Sequence, residues 1–137
     1  MKHLIKKLKE LGFAIIIFIP ILIVYTLLIY KNIIDSSDNA LRLTSFFVLL
    51  VYFLIVGILT GIIEKKKGII NGIIISSILI IIGFIFLRNE SFKFIQIIKY
   101  LAFMASSTLG SILGVNIAHA YFKRKVTKHY LKNKIVK

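Results

Sequence analysis

The stretch LTSFFVLLVYFLIVGILTGII-EKKK-GIINGIIISSILIIIGFIFL, residues 43–87, decides the architecture of this chain. It holds two uncharged runs, 43–63 and 68–87, joined only by Glu64, Lys65, Lys66 and Lys67. A helix rises about 1.5 Å per residue, so each run can cross a hydrocarbon layer roughly 30 Å thick. So short a connection makes the two helices an antiparallel hairpin. Glycines flank the turn on both sides: Gly57 and Gly61 form a GxxxG step before it, and Gly68 and Gly72 form another after it.

Residues 11–30 and 100–122 are also free of Lys, Arg, Asp and Glu. The expected fold class is all-α: a polytopic membrane protein with four transmembrane helices in one antiparallel bundle. Composition agrees, with 58% hydrophobic residues and a mean hydropathy of +0.93, against about 45–50% apolar content in soluble domains. The spans leave room for a single four-helix domain over 1–137, of which 123–137 is a basic tail. The basic N-terminal segment precedes a run that is too long for a secretory signal and ends in Leu28, Ile29, Tyr30 and Lys31 without a small-x-small cleavage site. It reads as an uncleaved first span.

The net charge of +14 would suggest nucleic acid in a soluble chain, but here its placement matters more. Charges are expelled from the spans, where each would cost about 2.5–3.5 kcal/mol, and no base-stacking motif accompanies them. No nucleic-acid partner is expected. Alternate connections carry fourteen Lys and Arg on one side and five on the other. The positive-inside rule therefore places both termini and the 64–67 turn in the cytoplasm, in a cytoplasmic membrane.

The basic ends suit anionic lipid. In 1–11, Leu4, Ile5, Leu8 and Leu11 recur at helical spacing among lysines, as in a segment lying along the inner headgroups before turning into the bilayer. The tail interleaves Val126, Tyr130 and Leu131 with basic residues, each worth about 1 kcal/mol near an anionic surface. On the outer side, Asp35, Ser36, Ser37, Asp38 and Asn39 offer caps for the second helix.

Lipid tails are as apolar as leucine, so packing and interhelical hydrogen bonds must hold the spans together. The helix-packing candidates are Gly57, Gly61, Gly68, Gly72, Gly110 and Gly114, with Ala118, Ser107 and Ser111 near the last pair. Asn71, Asn116 and Thr60 fall in the same inner layer, and Asn71 is expected to meet Asn116 across the glycine seam. The competing expectation is that each asparagine bonds its own backbone or headgroup water. Pro20 interrupts the first span, where neighbours can repair the lost hydrogen bond. His119, one turn from the inner end of the last span, is expected to reach headgroup water.

Chemistry is sparse. The chain has no cysteine, which removes disulfides and thiolate sites. Its five acids, Glu10, Asp35, Asp38, Glu64 and Glu90, all fall in loops or at the ends of spans, so no buried carboxylate for proton coupling is expected. Ser106 and Ser107 lie more than ten residues from His119 on one helix, too far to form a catalytic dyad. No enzyme activity, metal or cofactor is expected.

The segment Gly57-Ile-Leu-Thr-Gly61-Ile-Ile-Glu-Lys-Lys-Lys-Gly68-Ile-Ile-Asn71-Gly72, together with Leu109-Gly-Ser-Ile-Leu-Gly114-Val-Asn116, resembles the pattern of a family of small four-span membrane proteins of Gram-positive bacteria. The stretch before the turn is thinner in glycine than is usual there, and the basic tail is longer. The resemblance implies a four-helix topology and brings no substrate or reaction with it. The functional expectation is a small integral membrane protein that acts by helix–helix association, as a homo-oligomer or with another membrane component. Its rival is a small transport protein or a channel of the holin type, for which the first and third spans lack a continuous polar stripe. An immunity protein that shields the membrane by binding a toxin or lipid is a third reading.

Overall fold

Four helices follow one another along the chain: α1 (Lys2–Tyr30), α2 (Asp38–Glu64), α3 (Gly68–Phe86) and α4 (Phe94–Ile135). The computed structural model describes residues 2–35, 37–86 and 94–135, and their side chains over 5–35, 37–85 and 94–123. Each helix carries an apolar window long enough to cross a membrane. The described residues are helical throughout apart from the connections, so the chain is an all-α protein built as a four-helix membrane bundle.

The helices are not equal partners. α4 lies between α2 and α3 and makes the most extensive contacts in the bundle, first with α2 and then with α3. α2 and α3 do touch beside their shared turn, but α3 leans more on α4 than on its hairpin neighbour. The reason is a seam of small residues, which lets backbones approach α4 more closely than large side chains would allow. α1 attaches to α2, and only 6% of its apolar window is buried, against 33% for α2 and for α4.

Packing changes character along the bundle. Toward the ends of α2 and α4 nearest the 64–67 turn, the helices meet on glycine and serine. Toward the other ends, rings hold them together: Phe53 stacks on Phe103 at 5.1 Å and 3°, Phe46 lies 5.5 Å from Phe103, and Tyr52 bridges Phe53 to Phe18 of α1. Aromatic pairs of this kind contribute about 0.5–1.5 kcal/mol beyond the area they bury. The same two helices are thus joined by their thinnest residues at one end and their bulkiest at the other.

Several boundaries differ from the sequence reading. The basic segment before residue 11 does not turn at the headgroups but continues unbroken into α1, because Lys6 and Lys7 find partners on α2. Pro20 sits inside this continuous helix, on an exposed position. The first part of the tail is likewise not a separate segment: α4 runs 42 residues, about 63 Å at 1.5 Å per residue, well beyond one bilayer. The side chains of 124–137 lie outside the described residues, as do Ser36 and Glu90. The cap of α2 is Ser37, in extended conformation, with no side-chain capping bond. Asp35 takes up the adjacent donors instead, accepting from the Ser37 N–H at 3.3 Å and its hydroxyl at 3.1 Å.

Candidate functional site

At the end of the bundle that carries the 64–67 turn, four charged side chains meet. Glu64 is the last residue of α2, and the chain then turns through Lys65 in left-handed conformation (φ 59°), whose N–H bonds to the Gly61 carbonyl. This geometry aims the Glu64 carboxylate at α1. Lys6 Nζ lies 2.7 Å from Glu64 Oε2, and Lys7 Nζ lies 3.5 Å from Glu64 Oε1 and 2.8 Å from Glu10 Oε2. Lys7 is therefore shared by two carboxylates on different helices, and Glu10 and Glu64 adjoin one another.

Glu10 corrects an expectation. It stands one residue before the uncharged run 11–30, where an end-of-span acid should reach water, yet its side chain is fully buried. Its Oε2 is held by Lys7, whereas its Oε1 is buried without a hydrogen-bond partner. Helical geometry explains the burial: Glu10 and Ala14, one turn apart, share the face that α1 turns toward α2. The sequence did hold a signal, since Glu10 and Glu64 each sit one residue off an uncharged run at the same end of antiparallel helices.

Two further ties secure α1. Near its middle, the Tyr52 hydroxyl donates to the Ala14 carbonyl at 3.1 Å, and Phe18 packs on the Tyr52 ring. Toward its far end, the Tyr25 hydroxyl lies 3.0 Å from Thr44 Oγ1 and 2.8 Å from Ser45 Oγ. Around the Tyr25 tie, α1, α2 and Ile34 of their connection line an open apolar groove of about 450 Å³ that also includes Pro20, Phe47 and Ile55.

The glycine seam is built around α4. A Cβ placed on Gly57 would overlap the Ser107 carbonyl oxygen, and one on Gly61 that of Ser111. From the other side, Gly110 faces the Leu54 carbonyl and Gly114 that of Ile58. α3 approaches with Gly72, where a Cβ would lie 2.5 Å from Thr108 Cα, and with Gly68, 3.1 Å from Ile112 Cα. Buried hydroxyls accompany this approach: Ser107 Oγ donates across to the Gly72 carbonyl at 3.1 Å, Ser76 Oγ donates to the same carbonyl at 2.7 Å, and Ser106 Oγ donates to Leu50 of α2 at 2.8 Å. Thr60 and Ser111 are buried beside them.

The asparagines do not join this seam. Asn71 Nδ2 donates to the Lys66 carbonyl at 2.7 Å, bonding the turn that precedes its own helix, and Asn116 is exposed. At about 100° per residue, Asn116 points some 200° away from both Gly114 and Ala118, which are buried in the interface, so it cannot meet Asn71. His119, next to Ala118, is exposed as well. Lys65 Nζ lies 4.2 Å from the Phe122 ring, which brings α4 to the same end of the bundle as the 64–67 turn and the lysines of α1. Among the described residues no group of three or more His, Asp and Glu is arranged to hold a metal.

Two features therefore stand out: a small-residue seam that determines how α2, α3 and α4 pack, and a buried carboxylate clasp that joins α1 to α2. No family model, curated protein or solved structure matches the chain.

Proposed function

We propose that this small membrane protein resides in the cytoplasmic membrane with both termini inside, and acts by helix–helix association with a second copy or another membrane component. The observation that carries the reading is the unequal burial of its helices. α2, α3 and α4 are joined through backbone-to-backbone contacts, whereas α1 packs chiefly on α2 and leaves Ile15, Ile16, Ile19, Ile23 and Leu27 exposed. Within a bilayer, that face meets either lipid or another helix, and packing rather than hydrophobicity decides between them.

Orientation follows from charge. The lysines of α1, the 64–67 turn and the inner part of α4 lie at one end, which the excess of Lys and Arg assigns to the cytoplasm. Tags on both ends should be protected in intact cells and exposed on inverted vesicles. The basic ends then lie against anionic lipid, with no role in nucleic-acid binding and no reaction ascribed to the chain. Membership of the Gram-positive four-span family rests on the two glycine-bearing segments. Solubilisation in mild detergent, followed by purification and cross-linking, tests the association. A partner or second copy in fixed ratio supports it, and a lone monomer from both the membrane and the detergent extract overturns it.

The transport reading retains one observation in its favour, the buried Glu10, because proton-coupled carriers keep an acid within the bundle. Proton flux into vesicles holding the purified protein discriminates between the two readings.

A further inference from the structure

Glu10 poses a specific problem in hydrogen bonding. One carboxyl oxygen is satisfied by Lys7 and the other is buried with no donor. If Glu10 were ionised, Oε1 would be a charged acceptor that lost its water and gained nothing, which costs more than leaving a neutral group unsatisfied. Its neighbour on the facing helix is a second carboxyl group, Glu64, already held by Lys6 and Lys7. Two carboxylates in one site favour binding a proton between them.

We propose that Glu10 and Glu64 form a proton-binding site in which one proton, carried on Glu10, closes the inner end of α1 onto α2. The proton converts the orphan oxygen from an unsatisfied acceptor into a donor, and the adjoining Glu64 carboxylate is the acceptor available to it. Lys7 holds the remaining Glu10 oxygen and Lys6 holds Glu64. These are the titratable groups that act on Glu10: Lys7 from its own helix and Glu64 from α2, with Lys6 acting through Glu64. The ligand is the proton itself rather than a metal cation, because two lysines already occupy the positions a cation would take. The site does not depend on what covers the outer face of α1.

With the proton bound, the cluster holds two lysines against one carboxylate charge, and α1 is clasped. Loss of the proton to alkaline solution removes the donor on Glu10 and adds a second negative charge beside Glu64, so that the two carboxylates around Lys7 repel one another. The inner end of α1 loosens as pH rises.

Infrared spectroscopy of the full chain in lipid vesicles, with carbon-13 glutamate, reads this directly, since only Glu10, Glu64 and Glu90 carry the label. The expected result is a protonated glutamate carboxyl band that persists at neutral pH, disappears in alkaline buffer and is absent in Glu10→Gln. In parallel, spin labels at Lys9→Cys and Lys65→Cys, in a chain that has no cysteine of its own, should separate as the band disappears. In Glu10→Gln they should stay close at every pH. The wild-type titration remains decisive even if the variant folds poorly. Absence of a protonated glutamate band at neutral pH, or a label distance that ignores its loss, overturns the proposal.

Discussion

Gly57 and Gly110 are mates across a local two-fold relationship: each presents its Cα to the carbonyl of the residue three positions before the other, Ser107 for Gly57 and Leu54 for Gly110. The relation repeats one turn on, where Gly61 meets Ser111 and Gly114 meets Ile58, again three positions before the opposite glycine. α2 and α4 run in the same direction through the bundle, so two segments of one chain associate as identical parallel helices would. Each glycine replaces a Cβ that the facing carbonyl could not tolerate, and the close approach permits weak Cα–H···O contacts of about 0.5–1 kcal/mol each.

Alanine at Gly57, Gly61, Gly110 or Gly114 should therefore destabilise the bundle by about 1–3 kcal/mol, because the obstruction is backbone and cannot swing aside. Gly12 and Gly83 provide the contrast, since a Cβ there meets nothing within 4 Å. Alanine at those two positions should be neutral or stabilising by about 0.5–1 kcal/mol through the loss of glycine's backbone freedom. Unfolding equilibria in mixed micelles will separate the two groups.

The seam hydroxyls should differ among themselves. Ser107→Ala removes a bond from α4 to the Gly72 carbonyl and is expected to cost about 0.6 kcal/mol, in the range of interhelical hydrogen bonds in membranes. Ser111 is equally buried but its hydroxyl has no partner, so Ser111→Ala should be neutral or slightly stabilising. The same unfolding assay applied to both variants checks the order.

Tyr52→Phe keeps the ring against Phe18 and Phe53 and removes the hydrogen bond to Ala14. A loss of about 0.5–1.5 kcal/mol is expected, confined to the attachment of α1. Amide hydrogen exchange should rise along α1 while the glycine segments of α2 and α4 stay protected. Uniform acceleration through all four helices would contradict the peripheral placement of α1.

Asn71 and Asn116 should behave independently. Asn71→Leu forfeits the bond to the Lys66 carbonyl and should loosen the start of α3 by about 0.5–1.5 kcal/mol, whereas Asn116→Leu, on an exposed face, should change little. The double variant is expected to show the sum of the two. A coupling energy beyond about 0.5 kcal/mol would mean that the two side chains meet after all.

Four uncharged runs with charged flanks were enough, from the sequence, for the all-helical membrane architecture, because uniformly apolar runs of this length lack the short alternating pattern of barrel strands and satisfy their backbone hydrogen bonds in lipid as helices. The glycine spacing also marked the thin faces, since a missing Cβ is a property of the residue itself. What the spacing did not contain was the partner. That α4 stands between α2 and α3, that Ser107 and Leu54 supply the facing carbonyls, and that Asn116 points away all depend on rotation of each helix about its axis, which only mutual packing determines. Glu10 shows the same division most clearly: its position one residue outside an uncharged run suggested exposure, and its burial came from α1 lying against α2 with Ala14 and Glu10 on the contact face. Composition and periodicity choose the solvent for each segment; which side chains lose that solvent is decided by the neighbouring helix.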